Sequence, residues 1–532
     1  MKLKPMNVLD AGLLMMESPE TPMHIGGIQV LKPPAGAGRD YVRKLRDRMM
    51  QFPADGAPFN YRLARTGGRL GLPAWEVLDH VDLEEHVFHH ALPYPGGERE
   101  LLSLVSRLNS GPLDRSRPLW EQHLIEGLEG GRYATYTRVH HALMDGQWGI
   151  RLAHATTSPD PRVRDLPPYW AVKFDGEKAA ARPTERAMKA VLKAAAKSGK
   201  DPAAPGWWAR QAQDIQAGME TVAELRKAFG RLIESFRHPA DDGLVPMYTA
   251  PRTLLDGHLT ARRELAVVRL DLRRIKAIAR ARDVKINDVV LSLCGGALRR
   301  YLDLYGELPE SSLAAMAPFY LRPSDGTAVS PELTWLRVAL GTDLADPLQR
   351  LAFIHGQTAS SEHLSRAVGA RELSEAGSHV PAATLALTAK LLGRATASIG
   401  RRSPLAHCTI TNVPGPAVPL YLCGARMTYF SAIMPIADGM GLVFAVTSYD
   451  GRIVISPTSC RELMPDPETF AQCVRDSFQE LLAAAQVRPA ASAARRRAAP
   501  RSAAKAAAAP ASKPPRRRAS ASGRRSPTIP AA

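Results

Sequence analysis

The chain contains 532 residues, of which 45% are hydrophobic and 23% are charged, and it carries a formal net charge of +18. This length exceeds that of an ordinary single domain, and the apolar content suits a soluble globular protein, so we expect two domains. The sequence has no run of 18 or more apolar residues and does not start with the apolar core of a signal peptide. We therefore expect neither a transmembrane helix nor secretion.

Composition divides the chain into four parts. Residues 1–155 alternate apolar and polar positions and form a predicted N-terminal domain. Residues 156–259 combine a Pro-rich linker with a helical pattern at 206–236 that predicts a connecting helix. Residues 260–486 form a second predicted αβ domain. Residues 487–532 form a tail of Ala, Pro, Ser, Arg and Lys without aromatic residues, which predicts disorder.

The basic character belongs mostly to the tail. From Arg488 to Arg525 it contains twelve Lys or Arg and no Asp or Glu, and removing these charges from +18 leaves +6 for the rest of the chain. We interpret the tail either as a solubilising appendage or as a segment that contacts anionic lipid surfaces. Nucleic acid would bind the same charges only non-specifically.

The cysteines indicate a reducing environment. They are odd in number and form no CxxC pair, so we expect a cytoplasmic protein whose thiols fill the core. The five are Cys294, Cys408, Cys423, Cys460 and Cys473.

Two strands lead to the most informative motif. Alternation predicts strands at 120–128 and 132–139, and the sequence EGG between them predicts a hairpin turn. His140 and His141 then lie where the second strand ends. Consecutive strand residues point to opposite faces, so we expect only one of these histidines to face a given cleft.

Residues 140–146 read HHALMDG, which has the HHxxxDG spacing. A His side chain ionises near neutral pH, so it can take the proton of an alcohol as the oxygen attacks a carbonyl. This chemistry indicates acyl transfer. A second pair, His89 and His90, lacks the Asp-Gly, and we interpret it, with His86, as a solvated or loop cluster. A metal site there is disfavoured because no further ligands have zinc spacing.

In the second half, periodicity predicts a helix over 272–282 and another that starts at Asn287-Asp288 and runs to Tyr301. Asn or Asp before an apolar run is typical of a helix N-cap, and a functional role for the pair is compatible with that position. Predicted strand segments are 410–416, which ends in a turn, and 442–449 and 452–455, which flank a hairpin.

Seven ordered blocks resemble the bacterial wax ester synthase/acyl-CoA:diacylglycerol acyltransferases over nearly all of the predicted folded length. One block would be a weak signal, but the ordered set is specific. The blocks are 21–27 (TPMHIGG), 112–121 (PLDRSRPLWE), 140–146 (HHALMDG), 284–290 (VKINDVV), 412–416 (NVPGP), 420–425 (LYLCGA) and 448–451 (SYDG).

The resemblance implies an α/β (α+β) fold with two chloramphenicol-acetyltransferase-like domains, each a mixed sheet with helices. The active-site channel would lie at their interface, reached by CoA from one side and by the acceptor from the other. A fatty acyl group would move from acyl-CoA to diacylglycerol, to a long-chain alcohol or to both, giving triacylglycerol or wax ester plus CoA. Acyl-CoA is then a substrate, and the reaction requires no cofactor and no metal.

The resemblance also implies roles within the motif. His141 would be the proton acceptor, and His140 would pack or hydrogen-bond locally. Asp145 would pair with an Arg to hold the loop, the alternative being that it orients His141 directly. Gly146 would be structural.

Further residues would support the channel. For Pro118, Leu119 and Trp120, the Pro-Leu-Trp block, the alternative is a position in the core. Asn287 would donate to the negative oxygen that forms when the acceptor attacks the thioester, and backbone NH groups are the alternative donors. The residues are Pro118, Leu119, Trp120, Asn287, Asp288 and Asn412, the last in a shaped turn.

The chain departs from the family pattern at three places. Gln147 and Trp148 follow the motif where small or apolar residues are usual, so the Trp148 indole would narrow the acceptor channel or else pack outward. Asp256 stands where relatives tend to carry Asn. Residues 324–333 lack a Gly-Asn pair.

Three functions are therefore compared. The favoured one is the acyl-CoA-dependent O-acyltransferase, cytoplasmic and in peripheral contact with a membrane or lipid-inclusion surface. The second is an acyltransferase of the same fold with another acceptor or a carrier-bound donor. The third is a non-catalytic lipid-associated or nucleic-acid-associated protein, for which the intact motif would have no purpose.

Overall fold

The computed structural model describes residues 2–6, 8–64, 73–144, 146–172, 251–321, 332–367 and 406–486. The predicted helix at 206–236 and the tail lie outside the described residues, as does Asp145. Within those ranges no helix is long and apolar enough to cross a membrane.

Strands and helices alternate irregularly along the described chain. The strands are β1 (Lys2–Pro5), β2 (His24–Lys32), β3 (Tyr61–Leu63), β4 (Ala74–Val77), β5 (Val87–Ala91), β6 (Trp120–Leu128), β7 (Arg132–His140), β8 (Arg263–Leu265), β9 (Val268–Asp271), β10 (Ala314–Leu321), β11 (Glu332–Ala339), β12 (Cys408–Val413), β13 (Tyr421–Leu422), β14 (Ala425–Ile433), β15 (Leu442–Tyr449) and β16 (Arg452–Cys460). The helices are α1 (Val8–Met16), α2 (Tyr41–Met49), α3 (Glu98–Asn109), α4 (Gly146–Thr156), α5 (Leu272–Ala281), α6 (Ile286–Leu304), α7 (Pro347–Ala367) and α8 (Pro467–Ala484).

The first large sheet has the order β13-β14-β2-β7-β6-β5 and carries the His motif at the end of β7. All of its strand pairs are antiparallel except β5 with β6. The predicted hairpin is confirmed, and the second strand extends one residue further, to His140. Its turn contains Gly130 and Gly131 at φ +70° and +66°, a left-handed conformation that glycine adopts without strain.

The second large sheet has the order β11-β10-β12-β15-β16-β8, with β9 also paired to β16. It mixes parallel pairs (β10 with β12, β12 with β15) with antiparallel ones. The predicted strand at 442–449 is confirmed as β15. Its partner β16 runs to Cys460 rather than to 455, because it stays paired with β15 through Ser459 and with β8 through Cys460. A small sheet, β1-β4-β3, completes the set in the described part of the chain.

The helices of the second half largely follow the predicted periodicity. α5 buries Ile275, Ile278 and Ala279 on one face, as expected for 272–282. The predicted N-cap at 287–288 is wrong, because α6 already begins at Ile286. Asp288 instead lies in the first turn and accepts a hydrogen bond from the Lys285 backbone N at 3.0 Å, so an acidic residue inside the helix pairs with the amide that precedes it.

One core cluster joins the two large sheets. It combines residues of β2, β7 and α3 with residues of β14 and β16, and β14 contacts both β15 and β16. Ser431 and Ser456 join their hydroxyls across this contact at 2.7 Å. β13 and β14 come from the second half of the chain but extend the sheet of the first half. The sheets therefore do not divide at one point in the sequence, and the 1–155 and 260–486 domain limits stay a prediction.

The five cysteines are all buried free thiols, as expected for core residues. Burial raises the pKa of Cys294 and of Cys408, which keeps both thiols protonated and unreactive.

Candidate active site

The His motif begins at the last residue of a central strand. His140 pairs with His24 of β2 and donates its backbone N–H to the Leu119 carbonyl at 2.9 Å. The His141 backbone N–H donates to the Met23 carbonyl at 2.8 Å. The two histidines are therefore held between neighbouring segments of the sheet. His140 is 0% exposed, whereas His141 is only partly buried.

The His140 ring is occupied by local contacts. Its Nδ1 accepts a hydrogen bond from the Ala142 backbone N at 3.0 Å, so a neutral ring carries its proton on Nε2. Nε2 faces Glu17 Oε1 at 3.5 Å and makes no hydrogen bond of normal geometry within the described ranges. The His140 ring therefore makes local contacts and does not reach solvent.

Glu17 is a buried carboxylate beside the motif that sequence reasoning missed. Oε1 accepts from the Met23 backbone N at 3.0 Å, and Oε2 accepts from Arg115 Nη2 at 2.8 Å. Burial alone raises the pKa of Glu17, but contacts with His140, Met23 and Arg115 outweigh it and lower the pKa to about 2. Glu17 and Arg115 lie 98 residues apart, so no local periodicity connects them.

The end of the motif lies at the start of a helix. Asp145, for which an Arg partner was predicted, is outside the described residues, so that role stays a prediction. Gly146 opens α4, and Trp148 lies in the first turn of that helix. The effect of Trp148 on the acceptor channel also stays a prediction.

The Pro-Leu-Trp block lies in the core of the first sheet. Trp120 is 0% exposed, stacks on Trp170 with ring centroids 5.3 Å apart, and donates its indole N–H to the Phe59 carbonyl at 2.8 Å. Leu119 is also buried, and its carbonyl holds His140. The block therefore lies in the core, which was the alternative interpretation. It contacts the His motif through the Leu119 carbonyl.

A buried polar group lies on the same face of the sheet as His140. Asn109 Oδ1 accepts from His24 Nε2 at 2.9 Å and from the Tyr136 hydroxyl at 2.8 Å. Burial lowers the pKa of His24 to about 3, so this ring stays neutral at physiological pH. The group fixes α3 on the sheet without placing a charge there.

The expected loop cluster of His86, His89 and His90 is wrong. His86 is buried and its Nδ1 lies 2.7 Å from the Trp120 carbonyl. His89 and His90 lie in β5, because that strand pairs in parallel with β6. His90 Nε2 contacts His123 Nδ1 at 3.0 Å.

His123, which His90 contacts, belongs to a second buried ion pair, formed by Glu121 and Arg138. His123 Nε2 lies 3.2 Å from Glu121 Oε2, and Arg138 Nε donates to the same oxygen at 2.8 Å. Burial raises the pKa of Glu121, but His123 and Arg138 outweigh it and lower the pKa to about 2. Burial lowers the pKa of His123 itself.

In the second half, the structure brings together two of the predicted site residues. Asn412 Nδ2 donates to Asn287 Oδ1 at 3.2 Å, so the end of β12 meets the first turn of α6. Asp288 turns away from this pair. It receives a hydrogen bond from Thr358 Oγ1 at 2.8 Å and contacts His355 Nδ1 at 2.7 Å, which fastens α7 to α6.

The departure at Asp256 has a local structural role. Its Oδ2 accepts from the Thr253 backbone N at 2.9 Å in a short helical turn. Burial raises the pKa of Asp256, against the opposing effect of His407. The third departure from the family pattern is the absence of a Gly-Asn pair at 324–333. Residues 324–331 lie outside the described ranges. Across the described ranges, no group of three His, Cys, Asp or Glu could hold a metal ion.

Comparisons with known proteins identify the family. Residues 6–290 match the wax ester synthase/diacylglycerol acyltransferase catalytic domain, and residues 332–482 match the C-terminal domain of the same family. A putative diacylglycerol O-acyltransferase of Mycobacterium tuberculosis is 33% identical over 91% of this chain and 100% of its own length. The O-acyltransferase WSD of Acinetobacter baylyi is 30% identical over 90% of this chain and 96% of its own length.

A solved structure is similar as well. The wax ester synthase/diacylglycerol acyltransferase from Marinobacter aquaeolei VT8 is 30% identical, with a TM-score of 0.68, over 91% of this chain and 100% of that one. The chain belongs to the wax ester synthase/diacylglycerol acyltransferase family, and it is an acyl-CoA-dependent O-acyltransferase. The predicted family, enzyme class and mixed α/β fold are confirmed.

The Glu121 ion pair predicts a pH-dependent contribution to stability. Its pKa is lowered from an ordinary 4.5 to about 2, so the contribution is fully present above about pH 4.5 and is lost as pH falls through 2. We expect Glu121→Gln to lower the free energy of unfolding by up to about 3 kcal/mol at pH 7 and by less than about half of that at pH 3. Urea unfolding at both pH values measures this difference.

The matched control is Glu468→Gln. Its carboxylate is 79% exposed and pairs with Arg475 on the surface, so we expect little change at either pH. An equal loss for Glu121→Gln at pH 7 and pH 3 would contradict the assigned ionisation of Glu121.

Proposed function

We propose that this family member transfers a fatty acyl group from acyl-CoA to the hydroxyl of diacylglycerol or of a long-chain alcohol, with His141 as the general base. The products are triacylglycerol or wax ester, and CoA. One observation supports the choice of base: of the two adjacent histidines, His140 is fully buried with its ring held by local contacts, whereas His141 keeps partial exposure. A base has to reach the hydroxyl proton that it removes.

The proposed reaction is a direct transfer between two bound substrates. His141 takes the hydroxyl proton as the acceptor oxygen forms a bond to the thioester carbonyl carbon. The tetrahedral intermediate collapses by breaking the carbon–sulfur bond, and the protonated His141 returns the proton to the leaving CoA sulfur. Atoms and charges balance without a further reactant. Holding both substrates in register supplies much of the rate.

The oxyanion of that intermediate needs donors that are already oriented. We propose Asn287 for this role. Its Oδ1 is occupied by Asn412, and this contact sets the orientation of its amide so that Nδ2 remains to donate. Asn412 would act through Asn287. The channel that holds the substrates is proposed to lie between the two large sheets, at the interface of the predicted 1–155 and 260–486 domains.

The acceptor is proposed from the relatives' names alone. The mycobacterial relative is named for diacylglycerol, and the solved relative for both wax ester and diacylglycerol acyl transfer. We therefore propose both acceptor classes for this chain. Another acceptor is the alternative, which an assay that offers the two acceptor classes separately distinguishes.

His141→Ala tests the base. We expect about a 10²- to 10⁴-fold loss of kcat, because the acceptor hydroxyl then has no base. The measurement is thiol release from palmitoyl-CoA with hexadecanol or a diacylglycerol as acceptor. His154→Ala is the matched control, since His154 is an exposed residue of α4, and we expect its activity to be unchanged.

Acceptor-dependent release that survives in folded His141→Ala would refute His141 as the base. If the folded wild-type protein releases no CoA in response to either acceptor at several acyl chain lengths, both proposed acceptor classes are wrong.

Asn287→Ala tests the oxyanion donor. Losing one such donor costs about 10²- to 10³-fold in kcat, and we expect KM for acyl-CoA to stay within about twofold because the contact forms only in the transition state. Asn412→Ala should show a smaller loss of the same kind. A change confined to KM for Asn287→Ala would assign the residue to substrate binding instead.

Contact with a lipid surface is proposed to use the basic tail, residues 487–532, in a cytoplasmic protein. Each basic residue near an anionic surface contributes about 1 kcal/mol. We expect deletion of residues 487–532 to abolish co-sedimentation with phosphatidylglycerol vesicles, while phosphatidylcholine vesicles bind neither form. Equal binding of the truncated protein would place the lipid contact elsewhere, and preferential competition by DNA would favour nucleic acid.

A further inference from the structure

We infer that Glu17 is a positioning residue for the acyl transfer: its buried carboxylate fixes the backbone on both sides of His141. This inference rests on the proposed role of His141 as the base. Glu17 follows α1, and its side chain is only 3% exposed. It is thus a carboxylate removed from water beside the catalytic motif, and such a group persists only when its oxygens are well paired.

The first connection from Glu17 to His141 runs through Met23. Glu17 Oε1 accepts from the Met23 backbone N at 3.0 Å, and the Met23 carbonyl accepts from the His141 backbone N at 2.8 Å. The Met23 backbone therefore donates its N–H to the carboxylate and accepts the His141 N–H with its carbonyl. A shift of the Met23 backbone would move the His141 Cα directly.

The second connection runs through the His140 ring. Nδ1 of that ring accepts from the Ala142 backbone N at 3.0 Å, which requires Nδ1 to be unprotonated. A neutral ring then has its proton on Nε2, and Nε2 faces Glu17 Oε1 at 3.5 Å. The carboxylate favours this tautomer, as acceptors beside a His ring do. The residues on either side of His141 are thereby clamped together.

Arg115 keeps the carboxylate ionised and in place. Its Nη2 donates both to Glu17 Oε2 and to the Leu14 carbonyl, each at 2.8 Å, so the guanidinium joins Glu17 to the end of α1. Arg115 is itself 43% exposed and does not contact His140 in the described structure. Its role is to neutralise the charge, and the geometry around His141 comes from Oε1.

Glu17→Gln tests the inference, because it keeps the shape of the side chain and removes its charge. A hydrogen bond to a charged group is worth more than a neutral one, so we expect about a 10- to 100-fold fall in kcat with KM values within about twofold. Hydrogen exchange of the backbone amides of residues 139–144 should speed up, while exchange in α8 stays unchanged. A purely structural role would lower the melting temperature and leave kcat of the folded enzyme unaltered.

The matched control is Glu84→Gln, which removes another ion-paired carboxylate of the first half, at Arg46, and should leave kcat unchanged. A double-mutant cycle with His140→Gln separates the two connections. Combined with His140→Gln, Glu17→Gln should cost less than it does alone, because the ring connection is already lost.

Two results would overturn the inference: an unchanged kcat in folded Glu17→Gln, or unchanged exchange at residues 139–144. If Glu17→Gln does not fold, Glu17→Asp is measured in the same way, and a kcat equal to that of the wild type overturns the inference. Failure of the proposed base is visible separately, as activity retained in His141→Ala, because the exchange measurement does not depend on catalysis.

Discussion

The pairing of β14 with β2 is the interaction on which the rest of the structure depends. It joins a strand of the second half to the central strand of the first sheet, from Lys32 opposite Arg426 to Gly26 opposite Ile433. Gly26 allows this approach, since a Cβ there would lie 3.0 Å from the Tyr136 ring and 3.3 Å from the Ile433 Cβ. The same β2 pairs on its other side with β7, which ends at the His motif. One strand thus connects the second half of the chain to the strand that ends at His140.

Two buried carboxylates, one before the first sheet and one within it, are neutralised in the same way. Glu17 and Glu121 are each neutralised by an arginine and contacted by a histidine, and both stay ionised despite their burial. The arginine is needed because an unpaired buried carboxylate costs several kcal/mol. Each ion pair therefore keeps a buried carboxylate charged and held in one position.

The second half also holds the segment that supports His141. Arg263 is 3% exposed and donates from Nη2 to the Glu20 carbonyl at 2.6 Å, while its backbone N donates to Ser110 Oγ at 2.9 Å. Burial lowers the pKa of Arg263 to about 10, so the side chain remains a cation at neutral pH. The loop between α1 and β2 is thus fastened at Glu17 within the first half and at Glu20 by the second. Both attachments precede Met23, which binds the His141 backbone.

Local patterns in the sequence determined the features that depend on near neighbours. The hairpin of β6 and β7, the position of the histidine pair at a strand end, helix α5 and the ordered family blocks follow from alternation, turn residues and spacing, which act over a few residues. Tertiary structure alone decided which of two adjacent histidines is buried, that Trp120 lies in the core, and that His89 and His90 belong to a strand. It also supplied Glu17, whose contact with His140 spans 123 residues. Burial and ion pairing are set by segments distant in the chain, so no short pattern encodes them.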